Sequence, residues 1–124
     1  DLQQNEPVLS PGMKYKHYAP NSKCILVYSK ENDKLIEKIK KIVKGYNNPL
    51  IVCHSNNVKT YNTKNIIDMG QSLEEITKNI FKILRKVDSY NPDIVVIEGV
   101  EKEGLGLAIM NRLIRACEHN YIEI

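Results

Sequence analysis

The residues best suited to chemistry lie in one short stretch near the amino terminus, which reads SPGMKYKHYAP. Its Pro-Gly pair is a turn signal, and its last proline biases the residue before it toward an extended backbone. Alternate side chains of an extended segment share a face, which places Lys14, Lys16 and Tyr18 on one side and Tyr15 and His17 on the other. Lysine binds phosphate as a point charge, and a tyrosine ring stacks on a base. The residues alone therefore leave two interpretations, a nucleotide-binding segment or a solvated leader.

A second candidate is the Gly-Leu-Gly sequence at residues 104–106, between a predicted strand and a predicted helix. The dinucleotide-binding fingerprint requires a small residue where this chain has Ile109, and it follows the first strand rather than the fourth. Carboxylates crowd the same predicted loop and would repel phosphate; they belong to Glu98, Glu101 and Glu103. We therefore expect no dinucleotide site here.

His54 follows the second predicted strand, at the edge where open α/β sheets bind ligands. The sequence offers it no nucleophile elbow and no recognisable set of catalytic partners, so we interpret it as a hydrogen-bonded surface histidine. On the last helix, Arg112 and Arg115 are one turn apart and either clasp an anion or form a solvated face paired with acidic residues. A role at a domain interface also stays open, because Asn111 and Arg112 lie in a stretch that resembles a known family, described below.

Short apolar runs alternate with amphipathic segments of helical period, which predicts an α/β domain. We predict a Rossmann-like three-layer sandwich with a mostly parallel, five-stranded sheet in the order 3-2-1-4-5. The predicted strands are residues 24–28, 50–53, 65–69, 93–97 and 121–124, and the helices between them begin near Asn32, Ser72 and Leu107. Asn32 or Asp33 is expected to cap the first of these helices. Ser72 and Glu75 have the spacing of a capping box. Gly45 is expected to follow the first helix as its C′ residue.

The chain of 124 residues suits one domain, which we assign to residues 23–124, with an extension and linker at residues 1–22. Residues 1–62 contain ten lysines and five acidic residues, a net charge of +5, whereas residues 63–124 carry −2. The basic half indicates an anionic partner or an ordinary lysine-rich surface. The first residue is Asp rather than Met, from which we expect a fragment or processed product. No long apolar run precedes the linker, so no signal peptide or membrane span is in view.

The chain has three cysteines, an odd number without metal-ligand spacing. We expect them to be buried, reduced thiols, as in a cytoplasmic protein. They are Cys24, Cys53 and Cys117.

The segment at residues 10–20 resembles the interdomain linker of the long, two-domain threonylcarbamoyl-adenylate synthase family. The linker motif reads K-Y-x-H-Y-x-P, and it is matched position for position by Lys14, Tyr15, His17, Tyr18 and Pro20. The sequence EGLGLAIMNRL at residues 103–113 is similar to the end of that family's C-terminal domain, and SLEE at residues 72–75 opens the helix before it.

The resemblance implies that this chain is the C-terminal accessory domain of a nucleotidyltransferase, together with the linker. The parent enzyme would convert ATP, L-threonine and bicarbonate to threonylcarbamoyl-AMP and pyrophosphate, for modification of a tRNA adenosine. ATP, threonine and Mg²⁺ would bind in the YrdC-like N-terminal domain, which this sequence lacks and which would be the main partner. The linker would cross that active site, with Lys14, Lys16 and Tyr18 on the ATP phosphates and Tyr15 and His17 fixing the segment.

The same reasoning predicts that this chain by itself has no catalytic residue, no metal site and no cofactor, and is inactive alone. One alternative is a stand-alone α/β module that binds a nucleotide or RNA through its basic half. Another is an interaction domain without a small-molecule ligand.

Overall fold

The computed structural model describes residues 19–124, which form one five-stranded sheet with helices on both faces. Every strand pair in the sheet is parallel. The strands are β1 (Cys24–Tyr28), β2 (Pro49–His54), β3 (Asn65–Gly70), β4 (Ile94–Glu98) and β5 (Tyr121–Glu123). The α-helices are α1 (Asn32–Val43), α2 (Leu73–Val87) and α3 (Leu105–Ala116), and 3-10 turns cover Ser55–Thr60 and Asp88–Tyr90. The predicted α/β class and the five-stranded sheet are confirmed.

The predicted strand order, 3-2-1-4-5, is wrong: the observed order is β3-β2-β4-β1-β5. The strands β1 and β4 exchange places relative to the prediction, so that β4 lies at the centre of the sheet and β1 lies between β4 and the edge strand β5. All five residues of β4 are buried, whereas two of the five residues of β1 are only half-buried. The complete burial of β4 fits its central place, where both edges are paired and both faces are covered.

The sheet separates two apolar layers, which makes the fold a three-layer sandwich. One layer packs α1 against the sheet, and its buried members include Leu35, Ile39, Ile51 and Val96. The other layer packs α2 and α3 against the opposite face through a larger set; its helix residues include Ile76, Ile80, Leu84, Ile109, Met110 and Leu113. Because both faces are covered, the strands read as continuous apolar runs rather than alternating ones.

The predicted helix ends agree with the structure at two positions and differ from it at two others. The capping box is confirmed, since Ser72 Oγ accepts from the Glu75 N–H at 3.1 Å while Glu75 Oε1 accepts from the Ser72 N–H at 3.1 Å. Gly45 follows the C-cap of α1, as predicted. The expected cap of α1 by Asn32 or Asp33 is wrong, because Glu31 is the N-cap and makes no side-chain capping bond. Helix α3 begins at Leu105, two residues before the predicted start.

Candidate functional site at the carboxyl edge of the sheet

A pocket of about 310 Å³ opens at the carboxyl ends of β1, β2, β3 and β4. In parallel α/β sheets this edge is where ligands bind, because the loops leaving the strands diverge there. The polar side chains around the pocket come from five different segments; they include Ser29, Lys30, Asn32, His54, Gln71 and Glu101. Leu35, Leu73, Ile76 and Val100 supply its apolar wall. The pocket therefore combines a few polar groups with an apolar lining, as small-molecule sites do.

Below this pocket lies Glu98, the last residue of β4, which is fully buried. Its Oε1 accepts hydrogen bonds from the His54 backbone N–H at 2.8 Å and from the His54 ring Nδ1 at 2.7 Å. Its Oε2 accepts from Asn57 Nδ2 at 2.8 Å and from the Tyr61 hydroxyl at 2.6 Å. A buried charge is tolerated only when it is hydrogen-bonded, and this carboxylate has four donors.

The electrostatics of this cluster keep Glu98 ionised. Burial would raise the pKa of the Glu98 carboxyl, but the hydrogen bonds from His54, Tyr61 and Asn57 outweigh burial and lower it. The same burial, with the Glu98 charge beside it, raises the pKa of the Tyr61 phenol far above its ordinary value. Burial and Glu98 also raise the pKa of the neighbouring Cys53 thiol to about 12. At neutral pH Tyr61 and Cys53 are therefore protonated, and Glu98 is ionised.

The cluster also fixes the segments that form the pocket. Asn57 exchanges two side-chain hydrogen bonds with Asn32 at the start of α1, at 3.0 and 2.9 Å. The chain of contacts from Asn32 through Asn57 and Glu98 to His54 therefore ties α1, the 3-10 turn, β4 and β2 together. Because every member is satisfied, such a buried network holds its residues in a single arrangement.

Sequence reasoning treated Glu98 as one of several loop acids, and that interpretation is wrong. Only Glu101 and Glu103 lie in the exposed loop after β4, whereas Glu98 belongs to the strand and points into the core. One feature of the sequence could have indicated the buried state of Glu98. It directly follows the apolar run IVVI, and a carboxylate in a buried strand must be hydrogen-bonded. The hydrogen-bonded state predicted for His54 is confirmed, with its side chain 25% exposed.

The glycines of the 104–106 loop have structural explanations. Gly104 adopts a positive φ of 55° at the N-cap of α3, a conformation that glycine reaches without strain. A Cβ at Gly106 would lie 2.1 Å from the Glu101 carbonyl oxygen, so only glycine fits this close approach. Both glycines therefore shape the turn between β4 and α3.

The arginines of α3 do not lie at the pocket. Arg112 stacks over the Phe81 ring on α2, with 4.5 Å between the guanidinium carbon and the ring centroid. This contact couples the two helices of one layer, which was not among the predicted roles for Arg112. Arg115, half-buried in the last turn of α3, is not a pocket residue either.

The three cysteines are buried and free, as predicted. The fold brings Cys24 and Cys117 together with their sulfur atoms 2.7 Å apart. The hydrogen bond between the two thiols, together with burial, raises the pKa of the Cys24 thiol well above its ordinary value. Within residues 19–124, no group of three or more His, Cys, Asp or Glu side chains is arranged to hold a metal ion.

The five linker residues predicted to bind ATP and substrate lie outside the described residues. They are Lys14, Tyr15, Lys16, His17 and Tyr18. The pocket and the buried carboxylate are thus a second site, which was not predicted from the sequence.

Comparison with known proteins decides the family. Residues 1–117 match the sequence model described as "Threonylcarbamoyl-AMP synthase, C-terminal domain". The chain belongs to this family. Threonylcarbamoyl-AMP synthases that it resembles include those of Pyrococcus abyssi, 36% identical over 115 residues and 93% of this chain, and Schizosaccharomyces pombe, 38% identical over 121 residues and 86% of this chain.

Solved structures of the family share the fold. The crystal structure of P. abyssi Sua5 complexed with L-threonine has a TM-score of 0.76 at 36% identity, covering 93% of this chain and 34% of that one. A C-terminal Sua5 domain from Pyrococcus horikoshii, crystallised alone, has a TM-score of 0.63 at 35% identity, covering 86% of this chain and 100% of that one. The chain spans about a third of the length of the curated synthases it matches, 34% and 29% of the two above, and corresponds to their C-terminal domain.

No helix among residues 19–124 has the length and apolarity that crossing a bilayer requires.

Proposed function

We propose that this chain acts as the C-terminal accessory domain of a threonylcarbamoyl-AMP synthase. The observation that carries the proposal is the match of residues 1–117 to the C-terminal domain of these enzymes. The parent enzyme joins L-threonine, bicarbonate and ATP into threonylcarbamoyl-AMP with release of pyrophosphate, and its product serves tRNA modification. ATP, threonine and Mg²⁺ bind in an N-terminal YrdC-like domain of the parent, to which this domain is the covalent partner.

In this proposal the domain anchors the segment at residues 10–20 so that the segment covers the active site of the N-terminal domain. Lys14, Lys16 and Tyr18 contact the ATP phosphates, and Tyr15 and His17 fix the segment. Support comes from a solved structure of P. abyssi Sua5 in which an adjacent His and Tyr are both replaced by alanine, at 34% identity to this chain. His17–Tyr18 is the one His-Tyr pair in the present sequence. We place the enzyme in the cytoplasm, where free thiols such as those of this chain stay reduced.

The direct test uses the full-length synthase and measures pyrophosphate released in the presence of ATP, threonine and bicarbonate. Tyr18→Phe removes the hydroxyl, and Tyr18→Ala removes the ring as well. Loss of a hydrogen bond to a charged phosphate costs about 1.5–3 kcal/mol, which corresponds to roughly a ten- to hundredfold loss in the affected constant. Tyr18→Ala should be at least as damaging as Tyr18→Phe. Tyr46→Phe makes the same chemical change within the domain and should leave synthesis unchanged.

Two further measurements separate the linker from the fold. The thermal melt of the isolated domain should be the same with Tyr18 and with alanine at that position, because the residue precedes the first strand. The isolated domain should release no pyrophosphate above a control without protein. If Tyr18→Ala unfolds the domain, this residue belongs to the core, and the proposal that the segment covers the active site is wrong. If the Tyr18→Ala synthase keeps full activity, the linker only connects the two domains and does not contribute to the active site.

A further inference from the structure

The pocket at the carboxyl edge has a feature that the linker proposal does not use, namely a histidine whose ring orientation is fixed. Glu98 accepts from both the backbone N–H and the ring Nδ1 of His54, so the ring cannot turn without breaking a bond to a buried charge. Because Glu98 stays ionised, the Nδ1 atom carries a proton. The Nε2 edge of the ring is then left to the pocket that His54 lines. A buried carboxylate that orients a histidine in this way is typical of binding and catalytic sites.

The second polar group at the pocket is Lys30, in the turn between β1 and α1. Its side chain is exposed, and within residues 19–124 its ammonium forms no ion pair with a carboxylate. Ser29 below it is 5% exposed and uses its Oγ to accept from the Glu31 N–H at 3.1 Å, which fixes the backbone of this turn. Lys30 and His54 thus reach the same cavity from neighbouring loops held by separate hydrogen bonds.

We infer that this pocket binds a small ligand through an anionic oxygen group, a carboxylate or a phosphate, with Lys30 and His54 as the recognising residues. Lysine contributes a positive charge, and histidine contributes a donor at Nε2 when protonated. The amides of Asn32 and Gln71 lie on the same lining, and the apolar wall at Leu73 and Val100 suits a ligand with an attached carbon skeleton. The inference concerns the domain itself and does not depend on the role of the linker.

Glu101 also lines the pocket, and the direction in which its neutralisation changes ligand affinity tests the inference. Its carboxylate repels an anion, so its neutralisation should tighten the binding of a simple anion. For a ligand that also carries an ammonium group, Glu101 would be attractive, and the same neutralisation should weaken binding. Exposed charges interact weakly in water, so each of these effects should be a few-fold rather than several orders of magnitude.

The test is an NMR titration of the folded chain with three probes: inorganic phosphate, acetate and chloride at matched ionic strength. A homologous domain crystallises on its own, so the titration can use this chain alone. We expect saturable shifts of the amides at residues 28–32, 53–55 and 99–101 with phosphate or acetate, and none with chloride. The stronger of the two oxyanions identifies the preferred group. Lys30→Ala and His54→Gln should each weaken the binding about three- to tenfold.

Two control variants complete the experiment. Lys78→Ala removes an exposed lysine of α2 that does not line the pocket and should leave the affinity unchanged. Glu101→Gln should strengthen the binding of phosphate and acetate. His54→Gln is interpreted only if its amide spectrum outside the pocket matches that of the parent, and Lys30→Ala, on an exposed residue, supplies the test if it does not. Absence of saturable shifts with both oxyanions, or equal affinity in the Lys30→Ala and Lys78→Ala variants, would overturn the inference.

Discussion

Glu98 and His54 are joined by two hydrogen bonds to one oxygen atom, 2.8 Å from the backbone nitrogen and 2.7 Å from the ring nitrogen. The pair links the central strand β4 to its neighbour β2 at the edge where the pocket opens. The strand end and the histidine ring are therefore held by the same buried charge. Stability and pocket geometry should respond together to changes at Glu98.

Glu98→Gln should destabilise the domain by about 3 kcal/mol. The amide keeps the shape of the side chain but removes the charge, and it places an NH₂ group against donors that need an acceptor. The free energy of unfolding, measured in urea by circular dichroism, checks the expected loss. Glu101→Gln makes the same change on an exposed residue and should stay within about 0.5 kcal/mol of the parent. Equal stability of the two variants would contradict the proposed role of the Glu98 cluster.

The stability of the domain should fall in acid through Glu98. Its folded-state pKa lies below the ordinary value of 4.5. The unfolded chain therefore takes up the proton first, and the contribution of Glu98 is complete above about pH 4.5 and is lost as the pH falls through the folded-state pKa. Urea denaturation at a series of pH values measures the free energy of unfolding of the parent and of Glu98→Gln. The difference between these two free energies should narrow below about pH 4.5. A gap that stays constant down to the acid transition would assign the pH dependence to other groups.

Val96→Asp should leave the chain unfolded or insoluble. Val96 is 0% exposed in the centre of β4 and lies between Ile25 and Ile51 on the adjacent strands. An unpaired buried charge costs several kcal/mol, a large part of the ~5–15 kcal/mol by which a domain is stable. Ile124→Asp introduces the same charge at a residue that is 51% exposed and should fold normally. A cooperative melt of Val96→Asp within a few degrees of the parent would show that β4 is not central.

Gly106→Ala should destabilise the domain, whereas Gly45→Ala should not. The added methyl at Gly106 would meet the Glu101 carbonyl oxygen at 2.1 Å, so the backbone must move, at a cost of about 1–3 kcal/mol. At Gly45 the nearest atom would be 3.8 Å away, and alanine should be neutral or add up to about 1 kcal/mol by restricting the unfolded chain. Thermal melts of the two variants check the contrast. A loss at Gly45 as large as the loss at Gly106 would show that the close approach is not the cause.

Local sequence patterns were sufficient to predict the helices and strands of this fold. Apolar runs and helical periodicity are local properties, so they located all five strands and the three helices, and the spacing of Ser72 and Glu75 located a capping box that the structure contains. The linker motif also lies in consecutive residues, and together with the match near Arg112 it was enough to indicate the family that the comparisons confirm.

The strand order and the second site depend on contacts between residues far apart in the chain. Strand order depends on how all the strands pair and pack together, so no single stretch of sequence specifies it. The Glu98 cluster joins residues up to 44 positions apart, and a carboxylate after an apolar run looks the same in sequence whether it is solvated or buried. Its charge, its donors and the pocket above it exist only because β2 and β4 lie side by side.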